Sequence, residues 1–141
     1  MAGFSDAELE YLTTERRLAR IATADADGRP HVTPVGMWRY NPALGTVDVT
    51  GRDFSSTRKY RNVGANPRAA IVVDDVASMR PWRPRAVIVE GPATAVDGHE
   101  PLIRITPERV ISWGLDAGPG RDERGGGAMQ EGSGSGAKRK G

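Results

Sequence analysis

From Arg17 to Trp113 the chain keeps returning to one pattern, a short run of twofold alternation closed by a turn signal. "RLARIATAD" (17–25) leads into the turn "ADG", and "RPHVTPVGMWRY" (29–40) leads into "NPALG" (41–45). "TVDVTG" (46–51) follows, with Val47 and Val49 on one face; later come "RAAIVVDD" (68–75), "AVIVEGPATAV" (86–96), "PLIRI" (101–105) and "RVISW" (109–113). A period of two between Gly, Asp, Asn and Pro clusters specifies strands. Helical spacing occurs in only two places. One is "SDAELEYL", where Ser5 and Glu8 form a capping-box pattern ahead of Leu9 and Leu12. The other is "SSTRKYRNVGAN" (55–66), which Asn66–Pro67 ends. Strands that do not alternate with helices exclude a doubly wound parallel sheet. The expected fold is mainly β: a small antiparallel barrel of about six strands, with a leading helix and one inserted helix.

Two stretches carry finer expectations. "RAAIVVDD" is apolar on both faces and reads as a strand covered on both sides. "VASMRPWRPR" (76–85) sets two prolines around Trp82 and reads as a loop. A bend is expected at Gly91–Pro92 within the long strand 86–96.

Composition changes sharply after Asp116. Residues 117–141 hold nine of the chain's 18 glycines and no aromatic or β-branched residue, so nothing there offsets the entropy of ordering. The expected organisation is one domain over 1–116 and a disordered, Gly/Ser-rich basic tail over 117–141. That tail carries five of the 20 basic and three of the 18 acidic residues, so the domain itself is neutral and gives no reason to expect a nucleic-acid partner. The absence of cysteine excludes disulfides and thiolate metal sites, and two histidines, His31 and His99, are too few for a histidine-rich cluster. No apolar run is long enough to span a bilayer and no signal-peptide core is present. A soluble, cytoplasmic protein without metal is expected.

The inserted helix starts with charges of the wrong sign. Arg58 and Lys59 lie in its first turn, with Arg61 close behind. A helix N-terminus is already electropositive, and each cation there is disfavoured by roughly 0.3–1 kcal/mol. Ser55, Ser56 and Thr57 add hydroxyls and a candidate N-cap, and the first-turn amides lack intrahelical partners. Two readings stand side by side: a solvated helix end, and a corner built for a phosphate, which removes the repulsion and satisfies the amides. Lys59 is the only lysine before the tail, where the other 14 basic residues are arginine.

The run "VTGRDFSSTRKYRNVGANPRAAIVVDD" (49–75) resembles the pyridoxamine-phosphate-oxidase-like split β-barrel superfamily. "LARIATADADGRPHVTPVGM" (18–37) is similar to that family's first hairpin and "EGPATAV" (90–96) to its later bent strand. Within the superfamily, "VVDDVASMRPWRPRAVIVEG" (72–91) and "IRITPERVISWGLD" (103–116) look most like an actinobacterial branch that uses the deazaflavin coenzyme F420 and includes a reductase of tetracycline biosynthesis. Thr33 stands where flavin-mononucleotide oxidases usually carry an arginine. The resemblance implies a split β-barrel, usually dimeric, with the cofactor at the subunit boundary. It implies that Arg58 and Lys59 hold the cofactor phosphate, aided by Ser56, Thr57 and Asn62. The backbone of Thr33, Pro34 and Val35, and of Val49, Thr50 and Gly51, would line the ring and its ribityl chain. Arg52 and Arg61 would meet the oligoglutamate tail of F420.

Other residues have plainer readings. His31 is expected as a solvent-facing strand residue, His99 as a loop residue, Tyr60 as core, Trp113 as packing of the closing strand. Trp82 is expected as a hydrophobic plug at a dimer seam, and Trp82 with Arg83 as a reach toward the partner's site. No side chain is singled out as catalytic, which suits chemistry carried by a cofactor. Three functions are compatible with these residues: F420-dependent reduction of an activated double bond in a conjugated small molecule, an FMN-dependent oxidase or reductase on the same barrel, and a non-enzymatic cofactor-binding barrel.

Overall fold

The computed structural model describes residues 3–115. Helix α1 (Asp6–Thr14) precedes strands β1 (Ala19–Ala24), β2 (Pro30–Val35), β3 (Trp38–Asn41) and β4 (Thr46–Val49). A single 3-10 turn (Phe54–Ser56) leads into helix α2 (Arg58–Ala65). Strands β5 (Arg68–Met79), β6 (Trp82–Val96), β7 (Leu102–Ile105) and β8 (Arg109–Trp113) follow. The strands lie in the order β2-β1-β5-β6-β7-β4-β3, with β8 added on β6, and every pairing is antiparallel. The sheet curls without closing, so the expected mainly-β, barrel-like split architecture is present.

Local chemistry explains the elements. The Ser5 hydroxyl accepts from the Glu8 amide at 3.2 Å while Glu8 Oε1 accepts from the Ser5 amide at 2.8 Å, completing the capping box of α1. The interior collects one face of each sheet strand, including Ile21, Ile71, Val87, Ile103 and Ile105. Strand β6 serves both halves of the sheet: Ala86–Glu90 pairs with β8, and Ala93–Val96 pairs with β7. The bend between them is where glycine is required. A Cβ on Gly91 would stand 2.0 Å from the Thr106 carbonyl oxygen, because the β7–β8 connection crosses directly over it.

Three expectations are corrected. Residues 29–40 form two strands rather than one, because the chain kinks at Gly36–Met37, where the Met37 carbonyl accepts from the Thr50 amide at 2.8 Å. Eight strands are therefore present among the described residues instead of about six. Residues 76–85 are not a loop: Val76–Met79 extends β5 and Trp82–Arg85 opens β6. Their prolines fit a ribbon because Pro81 sits in the reversal and Pro84 opposes Val76 beside a register shift, away from a regular ladder. Finally, within the single chain β5 is covered on one side only. Ala69, Ile71 and Val73 are buried, whereas Ala70 and Val72 are half-buried on the outer face. The expected tail, 117–141, lies outside the described residues.

Candidate cofactor corner

Thr57 is the N-cap of α2. Its hydroxyl accepts from the Tyr60 amide at 3.3 Å and donates to the Phe54 carbonyl at 2.7 Å. The Ser56 hydroxyl likewise donates to the Asp53 carbonyl at 2.8 Å. Both hydroxyls are thus committed to shaping the turn, and they reach a ligand only by exchanging these bonds. The Asp53 backbone is left-handed (φ 46°), which swings the 3-10 turn out ahead of the helix.

Behind that turn the cations are poorly compensated. Arg58 is exposed and Lys59 half-buried, and neither makes an ion pair with a described residue. The amides of Arg58 and Lys59 carry no hydrogen bond to the described residues, as expected for a first turn. Burial holds the Lys59 ammonium below its ordinary pKa of 10.5. Arg61 behaves differently, folding back to donate to the Ser56 carbonyl at 2.5 Å. Asn62 is buried, and its amide donates to Thr23 Oγ1 at 3.1 Å, so it fastens α2 to β1. Arg52 is exposed at the start of the turn.

The two strand segments expected to line a ring converge on the kink. Thr33, Pro34 and Val35 end β2, an edge strand paired only with β1. Val49 ends β4, and Thr50 bonds Met37 across the kink. Gly51 leads back to the corner, since a Cβ there would lie 3.1 Å from the Phe54 ring, which in turn sits 5.4 Å from Lys59 Nζ. A contact path therefore runs from β2 through the kink to the cations.

Tyr60 is core, as expected, and its hydroxyl donates to Asp97 Oδ1 at 2.5 Å, tying α2 to the β6–β7 connection. His31 is a half-buried member of β2, opposite Thr23, and His99 is an exposed loop residue. Trp113 is half-buried at the end of β8. Trp82 is 61 % exposed near the tip of the β5–β6 ribbon. Sequence reasoning missed the roles of Asp97 and Phe54, and a second cluster altogether. There Asp75 accepts from Tyr11 Oη (2.8 Å), from Arg17 (3.2 Å) and twice from Arg85 (2.9 and 2.6 Å), clasping α1 to the sheet. These partners lie up to 64 residues apart in the chain, beyond any local pattern. No group of three or more His, Asp or Glu among the described residues is placed to hold a metal, and no described helix is long and apolar enough to cross a membrane.

Known proteins share this fold. The sequence is 39 % identical over 122 residues to the 5a,11a-dehydrotetracycline/5a,11a-dehydrooxytetracycline reductase of Streptomyces rimosus, covering 80 % of this chain and 84 % of that one. In structure it is similar to a conserved hypothetical protein of Mycobacterium tuberculosis (TM-score 0.63, 19 % identity, 80 % of this chain and 86 % of the other). It is also similar to a FAD-binding protein of Mesorhizobium loti (TM-score 0.59, 23 % identity, 77 % and 91 %). A heme-binding protein of Mycobacterium smegmatis shares the fold as well (TM-score 0.61, 17 % identity, 82 % and 58 %). The sequence model of pyridoxamine 5'-phosphate oxidase matches residues 5–125. With its curled antiparallel sheet and inserted helix, the chain belongs to the pyridoxamine 5'-phosphate oxidase family.

Proposed function

We propose that this protein is an oxidoreductase that uses reduced coenzyme F420 to reduce an activated double bond in a flat, conjugated small molecule. The observation that carries the reading is the corner at the start of α2, where two cations and two amides meet without an ion pair or hydrogen-bond partner among the described residues. That donor set fits a phosphate. The similarity to a dehydrotetracycline reductase supports the reaction class and the kind of acceptor. Thr33, in place of a further arginine, supports a deazaflavin over FMN.

In this reading Arg58 and Lys59 hold the phosphate, with the Arg58 and Lys59 amides completing its cage. Ser56 and Thr57 shape the turn and Asn62 fixes the helix to β1. Thr33–Val35 and Val49–Gly51 present backbone to the ring and its side chain, while Arg52 and Arg61 stand where an acidic tail leaves the site. When bound, the reduced deazaflavin supplies a hydride. The chain's work is to set donor and acceptor at reacting distance and to exclude water. The outer face of the sheet carries Ala22, Val32, Ala70, Val72 and Ile88 interleaved with Arg20, Asp74 and Glu90, a mixed apolar and charged surface of the kind a homodimer with the site at the subunit boundary would use.

Single-turnover mixing with reduced F420 and 5a,11a-dehydrotetracycline tests the reading. Oxidation of the deazaflavin in step with acceptor loss is expected. Unchanged absorbance with F420, together with turnover by reduced FMN, would move the protein to the FMN reading. No turnover with either would leave a cofactor-binding barrel.

A further inference from the structure

Helix α2 lies in step with β1. The Asn62 side-chain amide donates to Thr23 Oγ1 at 3.1 Å, and four residues on the Asn66 side-chain amide donates to the Asp25 carbonyl at 3.2 Å. Four helical residues advance about 6 Å and two strand residues about 6.8 Å, so the two elements keep pace. One turn back on the same stripe of the helix, Arg58 is therefore level with Ile21. Opposite Thr23 and Ile21 on β2 stand His31 and Thr33, whose side chains share the inner face of the sheet.

This flank of α2 holds polar atoms left open. Asn62 is 6 % exposed and Thr23 5 % exposed. Asn62 spends one amide N–H on Thr23, while its Oδ1 has no hydrogen-bond partner among the described residues. The Thr23 hydroxyl accepts that bond and keeps its own proton to donate. The His31 ring makes no hydrogen bond or ion pair with a described residue. Buried polar atoms are ordinarily satisfied, so a set left open in one place points to a ligand. Access comes from the side, because β2 is the sheet edge, and His31 and Thr33 are half-buried where Thr23 and Ile21 opposite are buried.

We propose that Asn62, Thr23 and His31 form a subsite for an amide-linked carboxylate, one turn along α2 from the phosphate corner. The glutamyl tail of F420 carries that group beyond the phosphate, whereas FMN ends at its phosphate. Asn62 Oδ1 accepts from the tail's amide N–H, and the Thr23 hydroxyl and the His31 ring donate to the carboxylate. Arg61 does not serve this carboxylate while it is folded back on the Ser56 carbonyl. The subsite presupposes the proposed cofactor corner, from which the tail starts.

The chain has two histidines, so isotope labelling of their rings in the full-length protein gives two sets of magnetic-resonance signals. Titration with F420 should shift the His31 signals, assigned by their loss in His31→Gln, and leave those of exposed His99 in place. Titration with FMN should leave both in place. His31→Ala should weaken F420 binding about ten-fold and FMN binding by less than about two-fold, since one charge-assisted contact is lost from F420 alone. A saturating F420 titration that leaves His31 unmoved, or an FMN titration that shifts it as far, overturns the subsite and leaves the corner standing. An equal loss of affinity for both cofactors in His31→Ala also overturns it, because His31 would then only support the fold. No uptake of F420 by the wild type overturns the corner and the subsite together.

Discussion

The Lys59 ammonium sits 5.4 Å from the centre of the Phe54 ring and makes no ion pair with any described residue. Its charge is steadied by an aromatic face, at the one helix end where a cation is least welcome. An arrangement this poorly compensated is expected to change when an anion arrives. Lys59→Ala should weaken F420 binding about ten-fold or more, from the loss of one charge-assisted contact of about 1.5–3 kcal/mol. Equilibrium titration measures this, and urea unfolding of the cofactor-free protein should show no loss of stability.

The same residue predicts an alkaline signature. Burial lowers the folded pKa of Lys59 below 10.5, so the unfolded chain holds that proton more tightly. Between the folded pKa and 10.5 the unfolded state binds more protons, and stability of the cofactor-free protein should rise with pH. Lys59→Met should flatten that rise, as read from unfolding midpoints across the alkaline range.

Asp75, which clasps α1 to the sheet, is expected to contribute to acid stability. Hydrogen bonds from Arg85 chiefly, then from Tyr11 and Arg17, outweigh burial and hold its carboxyl at about 2 instead of 3.8. A depressed carboxylate stabilises the fold above the unfolded pKa and loses that contribution as pH falls from 3.8 toward 2. Asp75→Asn should cost about 1–2 kcal/mol at neutral pH, allowing for partial exposure, and should remove that part of the acid transition. Thermal melts at pH 7 and pH 3 would show the wild type converging on the variant.

Asp48 is fully buried and accepts from Asn41 (2.9 Å), Thr46 (3.0 Å) and twice from Arg104 (3.1 and 3.0 Å). Burial is the largest single influence and pushes its carboxyl up, but the bonds from Arg104, Asn41 and Thr46 together hold it below 3.8. Arg104→Met should therefore destabilise by about 3–5 kcal/mol, since it strands a buried charge. Chemical denaturation measures the loss, and Arg104→Met/Asp48→Asn should recover part of it.

Tyr60→Phe removes the bond to Asp97 that anchors α2. A cost of about 1 kcal/mol in stability is expected, with a few-fold loss of F420 affinity because the helix start is no longer held against the β6–β7 connection. Equal affinity in the variant would show that Asp97 has no part in placing the corner.

Much of this architecture is legible in the sequence. Ser5 with Glu8, the hydroxyl run Ser55–Thr57, and Asn66 before Pro67 are local signals, and the helix boundaries fall at them, with Thr57 of the three hydroxyls serving as the N-cap. The kink at Gly36–Met37 was hidden because the twofold pattern runs on through it, and only the bonds to Arg16 and Thr50 break the strand. The ribbon at 76–85 was hidden for the opposite reason: Pro81 and Pro84 look disruptive until one falls in the turn and the other beside a register shift. At the corner, residue types alone suggested phosphate, but they could not show that Arg61 folds back on Ser56 or that Asn62 is spent on Thr23. Those contacts depend on the tertiary path of the chain.

The most direct measurement is a fluorescence titration of wild type and Arg58→Ala/Lys59→Ala with F420 and with FMN. The account predicts saturable quenching of F420 by the wild type, weaker binding of FMN, and an affinity for F420 about 100-fold lower in the double variant, from two lost charge-assisted contacts. Undiminished F420 affinity in a correctly folded double variant would contradict it.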